Sequence, residues 1–268
     1  MTGLLFPRKT EPEWNDMSGR NPVYIHTEEI HNMDSPRVIV PMVFDLLKPD
    51  SVMDVGCGTG TFLRAFKECG VARVFGIDGP WVDKRLLWQH ISPDEFVCSD
   101  LSRGEFPDTQ GFFDLAVCLE VAEHLRHEAA DSLVDFLTSN SKVILFSAAV
   151  PHQGGQNHVN EQWPRYWVDK FAGRNFVFAD VVRPLIWNDD RVQYWYRQNI
   201  FLIVAREKWN DFHFQRQPNE AVLDVVHPEL YLKKARQLRL ILSGEATFSF
   251  YCKSMAKFFL RKISIKDR

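Results

Sequence analysis

The stretch Val52-Met53-Asp54-Val55-Gly56-Cys57-Gly58-Thr59-Gly60-Thr61 limits what this chain can fold into more than any other. It opens as a short apolar run with β-branched residues, the pattern of a strand buried on both faces. It then breaks into alternating glycines and resumes as Phe62-Leu63-Arg64-Ala65-Phe66-Lys67, which reads as a helix. Strand, glycine turn and helix in that order make a nucleotide-binding arrangement of doubly wound α/β folds. Without a Cβ, the glycines let a ligand approach the backbone closely, and the helix start presents unpaired N–H groups at the same place.

The spacing decides which kind of nucleotide turn this is. The dinucleotide pattern G-x-G-x-x-G wants a third glycine where Thr61 stands. Here that glycine comes one place early, at Gly60, and an acid, Asp54, precedes the first glycine by two. D-x-G-x-G-x-G resembles motif I of the class I S-adenosylmethionine (SAM) methyltransferases. The resemblance implies that Gly56, Gly58 and Gly60 wrap the methionine end of SAM. It also implies that Asp54 helps hold the cofactor's ammonium through the turn or a water.

The remaining chain alternates strands and helices. Asp34-Ser35-Pro36 starts a helix through Val38, Val43, Phe44 and Leu47 that stops before Pro49. Strands are expected at 51–55, 73–78, 95–98, 113–118 and 142–147, with a helix at 128–138. Two further strands at 175–182 and 199–205 would form a closing antiparallel hairpin. The expected architecture is α/β: a Rossmann-like doubly wound sheet of seven strands with a final antiparallel hairpin and helices on both faces. Residues 1–33 read as an N-terminal arm or short lid helix, 34–206 as the methyltransferase domain, and 207–268 as a linker followed by a basic helical appendage.

Further cofactor contacts follow from position. Asp78 ends the second strand close to 20 residues after the glycines, where a carboxylate can accept both hydroxyls of a ribose. Trp81 is placed either to cover the ligand or to join the core. Asp100, followed by Leu101, comes after the third strand, where members of the resembled class often set an acid against the adenine amino group. The plainer role for Asp100 is a helix N-cap. F-D-L-x-x-x-x-E-V-x-E-H-L, from Phe113 to Leu125, resembles the segment after strand four in small-molecule methyltransferases, which puts Glu120 in the cofactor pocket facing the acceptor.

The loop Pro151–Pro164 is rich in Gly, His and amide side chains and leads into a helix at Pro164. Loops beyond strand carboxyl ends carry binding in such sheets. Its H-V-N-E-Q-x-P-x-Y-W, from His158 to Trp167, is similar to a segment of methyltransferase-domain proteins associated with polysaccharide and glycolipid modification. That likeness implies an O-methyltransferase acting on a sugar hydroxyl of a glycan, glycolipid or glycosylated metabolite. A sugar hydroxyl needs a general base, and histidine suits that work near neutral pH. His158 is the candidate base, Glu161 its orienting partner, and His152 a reserve with His124. Trp163, Tyr166 and Trp167 could wall the acceptor or equally pack into the core.

Two other readings compete. Glu120, Glu123 and His124 with His158 resemble the divalent-metal site of RNA 2′-O-methyltransferases of the Hen1 type, and two carboxylates with two imidazoles suit Mn, Fe, Co or Zn. The second histidine of that motif is absent, because Leu125 follows His124, so the expectation is no metal. The other reading is a SAM-binding or scaffold protein without turnover, against which the intact cofactor residues speak.

Composition narrows the partners. A formal net charge of -3 does not mark a nucleic-acid binder. Met1–Glu13 lacks the basic-then-apolar pattern of a signal peptide, and no apolar run reaches the ~20 residues of a membrane span. The five cysteines, with no C-x-x-C, fit reduced core residues of a cytoplasmic protein. The last forty residues differ from the rest, because basic side chains there outnumber acids and aromatics interleave with them over 248–268. Such a helix can lie on an anionic membrane or dock a partner; the plainer expectation is a helix packed on the core with a solvated basic face.

Overall fold

A computed structural model of the chain describes residues 24–27, 30–104, 106–109, 111–212, 214 and 223–256. The outer part of the expected arm, 1–23, and the basic tail 257–268 lie outside the described residues. Two compact units are present, Met1–Asp224 and Val225–Arg268.

The first unit opens with helix α1 (Asp34–Leu47), which ends where Lys48 turns left-handed (φ 46°) ahead of Pro49. Strand β1 (Ser51–Val55) leads through the glycine turn into helix α2 (Thr61–Glu68), and β2 (Arg73–Asp78) follows. A short helix α3 (Lys84–Leu87) then precedes β3 (Phe96–Cys98). Strand β3 starts one residue later than expected, because Glu95 closes a capping box with Ser92. Strand β4 (Leu115–Leu119), helix α4 (Ala130–Asn140), strand β5 (Val143–Ser147) and helix α5 (Pro164–Ala172) continue the alternation. The last strands are β6 (Phe176–Ala179) and β7 (Phe201–Ala205), joined by the short helices α6 (Arg183–Ile186) and α7 (Tyr194–Asn199).

All seven strands form one sheet in the order β3-β2-β1-β4-β5-β7-β6. The first five run parallel, and β7 pairs antiparallel with both β5 and β6. The strand order reverses between β1 and β4, so the crevice at their carboxyl ends is where an open α/β sheet takes its ligand. Alternate strand residues face opposite cores. Met53, Ala116, Cys118, Ile144 and Phe146 pack with α4 and α5 on one face; Val52, Leu115, Val117 and Leu145 pack with α1 and α2 on the other. Each fully buried Phe or Leu in these layers contributes about 1.5–3 kcal/mol.

Two expectations change here. Trp209, Phe212 and Phe214 pack against the α1–α2 core and Leu223 joins the other, so this part of the expected linker belongs to the first unit. Cys57 and Cys118 are buried, but Cys98 and Cys252 are exposed, so the cysteines are not uniformly core residues; all five are free.

The second unit contains helix α8 (Pro228–Leu242), with Pro228 in the first turn and His227 accepting the Glu229 N–H through Nδ1. A further helical stretch covers 248–256. No helix among the described residues is long and apolar enough to cross a membrane.

Candidate active site

All three glycines of the turn have left-handed backbone: Gly56 at φ 79°, Gly58 at 53° and Gly60 at 80°. A Cβ on Gly56 would lie inside the contact distance of the Val121 side chain, and one on Gly58 would sit 3.2 Å from the His26 ring. The glycines therefore make room for the protein's own side chains as well as for a ligand. Val121 belongs to the segment after β4, so Gly56 brings the ends of β1 and β4 together across the crevice.

Two buried acids flank the turn. Asp78 accepts from the Gly58 N–H at 2.7 Å and the Gly79 N–H at 2.6 Å. Burial pushes its pKa up to about 6, against the pull of these donors and of the Trp81 side chain. Trp81 lies directly over Gly79, where a Cβ would collide with its ring, so it closes the β2 turn. Asp54 on β1 is buried too, and burial, then the neighbouring Asp78 charge, pushes it up to about 8. Two desolvated carboxylates beside an open glycine turn fit a ligand that brings positive charge and ribose hydroxyls, as SAM does. Asp100 and Leu101 lie beyond β3. One Asp100 oxygen accepts from Ser102 N (3.1 Å) and Ser102 Oγ (2.6 Å), and the other pairs with Arg103 at 3.3 Å. The capping role is thus what its side chain does here, and Leu101 is buried.

Beyond β4 the backbone is strained. Glu120 is left-handed (φ 55°), held by its N–H donating to the Ser147 carbonyl at 3.0 Å. Its carboxylate accepts from Gln153 Nε2 at 2.8 Å and Asn199 Nδ2 at 3.0 Å, and Gln198 donates to both amides. This amide network, with Gln153, Gln198 and Asn199 all buried, went unread in the sequence. Its one signal was a pair of adjacent amides just before an apolar strand.

The 152–161 loop is organised around Glu161. Its carboxylate accepts from His152 N (2.6 Å), Gly154 N (2.7 Å) and His158 Nδ1 (2.9 Å). His158 and Glu161 are thus brought together as expected, whereas His152, left-handed at φ 67°, enters through its backbone. The His158 ring lies against Gly155, where any Cβ would strike Nε2. Val159 and Asn160 donate their N–H groups to the Glu123 carbonyl, which stitches the loop to the segment after β4. Of the proposed aromatic wall, Trp167 is core, 1% exposed and packed on Phe146, and Tyr166 bonds His127. Trp163 remains exposed.

Five rings run from the arm to this loop. Tyr24 stacks on His31 and meets His26 and His124 edge-on, and His124 meets His158 edge-on at 4.9 Å. Burial drives His26 and His124 down to about 3 and His31 to about 4, so these rings are neutral at physiological pH. The Gln156 side-chain amide donates to the Ile25 carbonyl at 3.1 Å and accepts its N–H at 3.0 Å, pairing with the arm as a strand neighbour would. One ligand atom each from Glu123, His124 and His158 fall within 4.8 Å of one another. The Glu123 carboxylate is fully buried and makes no hydrogen bond of ordinary geometry. Burial, then repulsion from Glu120, drives its pKa well upward. Glu120, turned to its amides, is not part of this trio.

A methyltransferase-domain family model matches residues 30–183, more than half of the chain. No curated protein sequence matches. Similar solved structures include human N-acetylserotonin methyltransferase in complex with SAM, 14% identical over 64% of this chain and 51% of that one (TM-score 0.44). Magnesium protoporphyrin IX methyltransferase from Synechocystis PCC 6803 with bound SAH is 18% identical over 66% and 83% (TM-score 0.45). The small RNA methyltransferase HEN1 is 14% identical over 69% of this chain and 26% of that one (TM-score 0.48). The chain spans about half the length of the first of these enzymes and about a quarter of HEN1. With its turn, its acids and its strand order, the chain belongs to the methyltransferase-domain family.

Proposed function

We propose that the protein is an O-methyltransferase that methylates a sugar hydroxyl within a glycan, glycolipid or glycosylated metabolite, with His158 as general base. The observation that carries this reading is the His158–Glu161 pair, 2.9 Å apart in the loop whose Gln156 pairs with the arm that sets His26 over Gly58.

The bound cofactor supplies a methyl group on a positively charged sulfur. Gly56, Gly58 and Gly60 would hold its methionine end, Asp54 would favour its ammonium, and Asp78 would take the ribose hydroxyls. A sugar hydroxyl holds its proton far above neutral pH, so its oxygen becomes a useful nucleophile only as the proton leaves. Glu161 accepts from Nδ1, which fixes the tautomer with the lone pair on Nε2. That nitrogen takes the hydroxyl proton as the acceptor oxygen gains the methyl group. The Glu120–Gln153–Asn199 network and the arm hold the surrounding walls still, and alignment of acceptor and methyl does much of the catalytic work.

The test is transfer of radiolabelled methyl from SAM to glycan and glycolipid extracts. His158→Ala should lower turnover about 10²- to 10⁴-fold while S-adenosylhomocysteine affinity stays within about twofold. Unchanged turnover removes His158 as base.

A second reading is favoured by the Glu123, His124 and His158 trio. Two imidazoles and a buried carboxylate suit a transition-metal ion, which would lower the acceptor hydroxyl's pKa in place of a base, as a ribose 2′-hydroxyl of RNA would require. Metal analysis of the purified protein and an EDTA challenge separate the two: stoichiometric metal, with activity abolished by EDTA and restored by Mn or Zn, selects the metal reading.

A further inference from the structure

The second unit carries ten Lys and Arg against three Asp and Glu, while the whole chain has a net charge of -3. The positive charge is therefore concentrated in Val225–Arg268, and the unit before it is strongly negative. On α8, Tyr231, Ala235, Leu238 and Leu242 recur at spacings of four, three and four, which places them on one helix face. That face is exposed: Tyr231 by 65%, Leu238 by 56% and Leu242 by 78%. Leu230 is the only buried residue of the helix. On the helical wheel Lys234 borders the apolar face on one side and Arg239 on the other, with Arg236 beyond it. The pattern continues into the next helical stretch, where Phe248 is 84% and Met255 59% exposed. The Tyr251 hydroxyl donates to the Ile241 carbonyl at 3.2 Å, tying the two helical pieces together.

A helix with an apolar stripe in water and cations on both margins matches the boundary between lipid acyl chains and anionic headgroups. The aliphatic stems of Lys and Arg lie along the apolar layer and their heads reach the phosphates. We propose that α8 docks the enzyme onto an anionic lipid surface, with Tyr231, Leu238 and Leu242 at the acyl boundary and Lys234, Arg236 and Arg239 among the headgroups. The charge separation gives the attachment a direction, because such a surface attracts the second unit and repels the acidic first. Nucleic acid shares the preference for cations but has no use for an exposed leucine stripe. A protein groove would need no cations on both margins.

The experiment is co-sedimentation of the full chain with phosphatidylcholine vesicles, with and without phosphatidylserine, at low and high salt. The expected result is binding only to the anionic vesicles, weakened by salt. Leu238→Glu with Leu242→Glu should lower the partition coefficient about tenfold or more. Lys234→Glu, Arg236→Glu and Arg239→Glu together should lower it about a hundredfold. Both variants should keep wild-type thermal stability and S-adenosylhomocysteine affinity; if one does not, the other carries the test. Failure of the wild type to sediment with anionic vesicles overturns the proposal. So does undiminished binding by the leucine variant, which would leave plain electrostatic adsorption. Binding of duplex RNA without vesicle binding overturns it in favour of a nucleic-acid surface.

Discussion

The crevice has two walls of different construction. The wall formed by the β1–α2 and β2 turns is built from backbone: three left-handed glycines and two N–H groups aimed at Asp78, all within twenty-five residues and anchored on two paired strands. The wall opposite is built from side chains. Glu161 gathers three donors, Glu120 gathers two amides, and Gln156 clips Ile25 of the arm to a loop 131 residues further along. A backbone wall suits a ligand that is always the same, since it varies little when side chains change. A wall of interlocked side chains can be re-cut for a different acceptor without disturbing the cofactor.

If that division is right, damage to the two walls should separate in the kinetics. The largest effect is expected from Glu161→Ala. It strands the His152 and Gly154 N–H groups and releases His158 Nδ1, so kcat should fall about a hundredfold or more while S-adenosylhomocysteine affinity is unchanged in calorimetry. A parallel loss of cofactor affinity would show that the walls are one structure. Gly56→Ala is the converse. The new Cβ meets Val121 and forces a left-handed alanine, costing about 2–3 kcal/mol in thermal unfolding and more than tenfold in S-adenosylhomocysteine affinity.

Asp54→Asn probes the backbone wall through pH. An acid whose pKa is raised on folding holds its proton more tightly when folded. Its contribution to the ligand-free protein is therefore greatest below the unfolded value near 3.8 and is lost as pH rises through about 8. At pH 8.5 the Asn variant should melt about 5 °C higher than wild type without ligand. Wild-type affinity for the cationic cofactor should rise between pH 6 and 8.5 as Asp78 and then Asp54 ionise, and the Asn variant should lose the upper part of that rise. A melting temperature that falls instead would mean Asp54 is ionised and already compensated.

The same division explains what could be read from the chain alone. The glycine turn, Asp78 and the strand series were legible because each rests on neighbours in sequence: a β-branched run, a glycine spacing, an acid at a strand end. His158 and Glu161 were legible as a pair for the same reason, being three residues apart. Gln153, Asn199, Tyr24 and Gln156 were not, because their partners come from other segments and an isolated Gln or Tyr carries no sign of what it will meet. Whether Trp167 walls an acceptor or joins the core was not legible, because helix phase at Pro164 sets which aromatic turns inward, and that phase depends on packing against Phe146. On α8 an amphipathic pattern that usually implies burial leaves its apolar face in water.

The smallest predicted effect cuts finest. Gln156→Ala removes both hydrogen bonds between the loop and Ile25, each worth about 1 kcal/mol, and touches neither the glycine turn nor His158. Amide exchange at Ile25 and its neighbours should accelerate whatever the arm does. The His26 ring lies over Gly58, so an arm that closes the crevice should also control how fast ligand leaves. The expected result is a few-fold faster release of S-adenosylhomocysteine in stopped flow, with its association rate little changed. Faster amide exchange with unaltered release would assign the arm to the acceptor wall alone, and the backbone wall would then hold its ligand without help from any side chain in front of it.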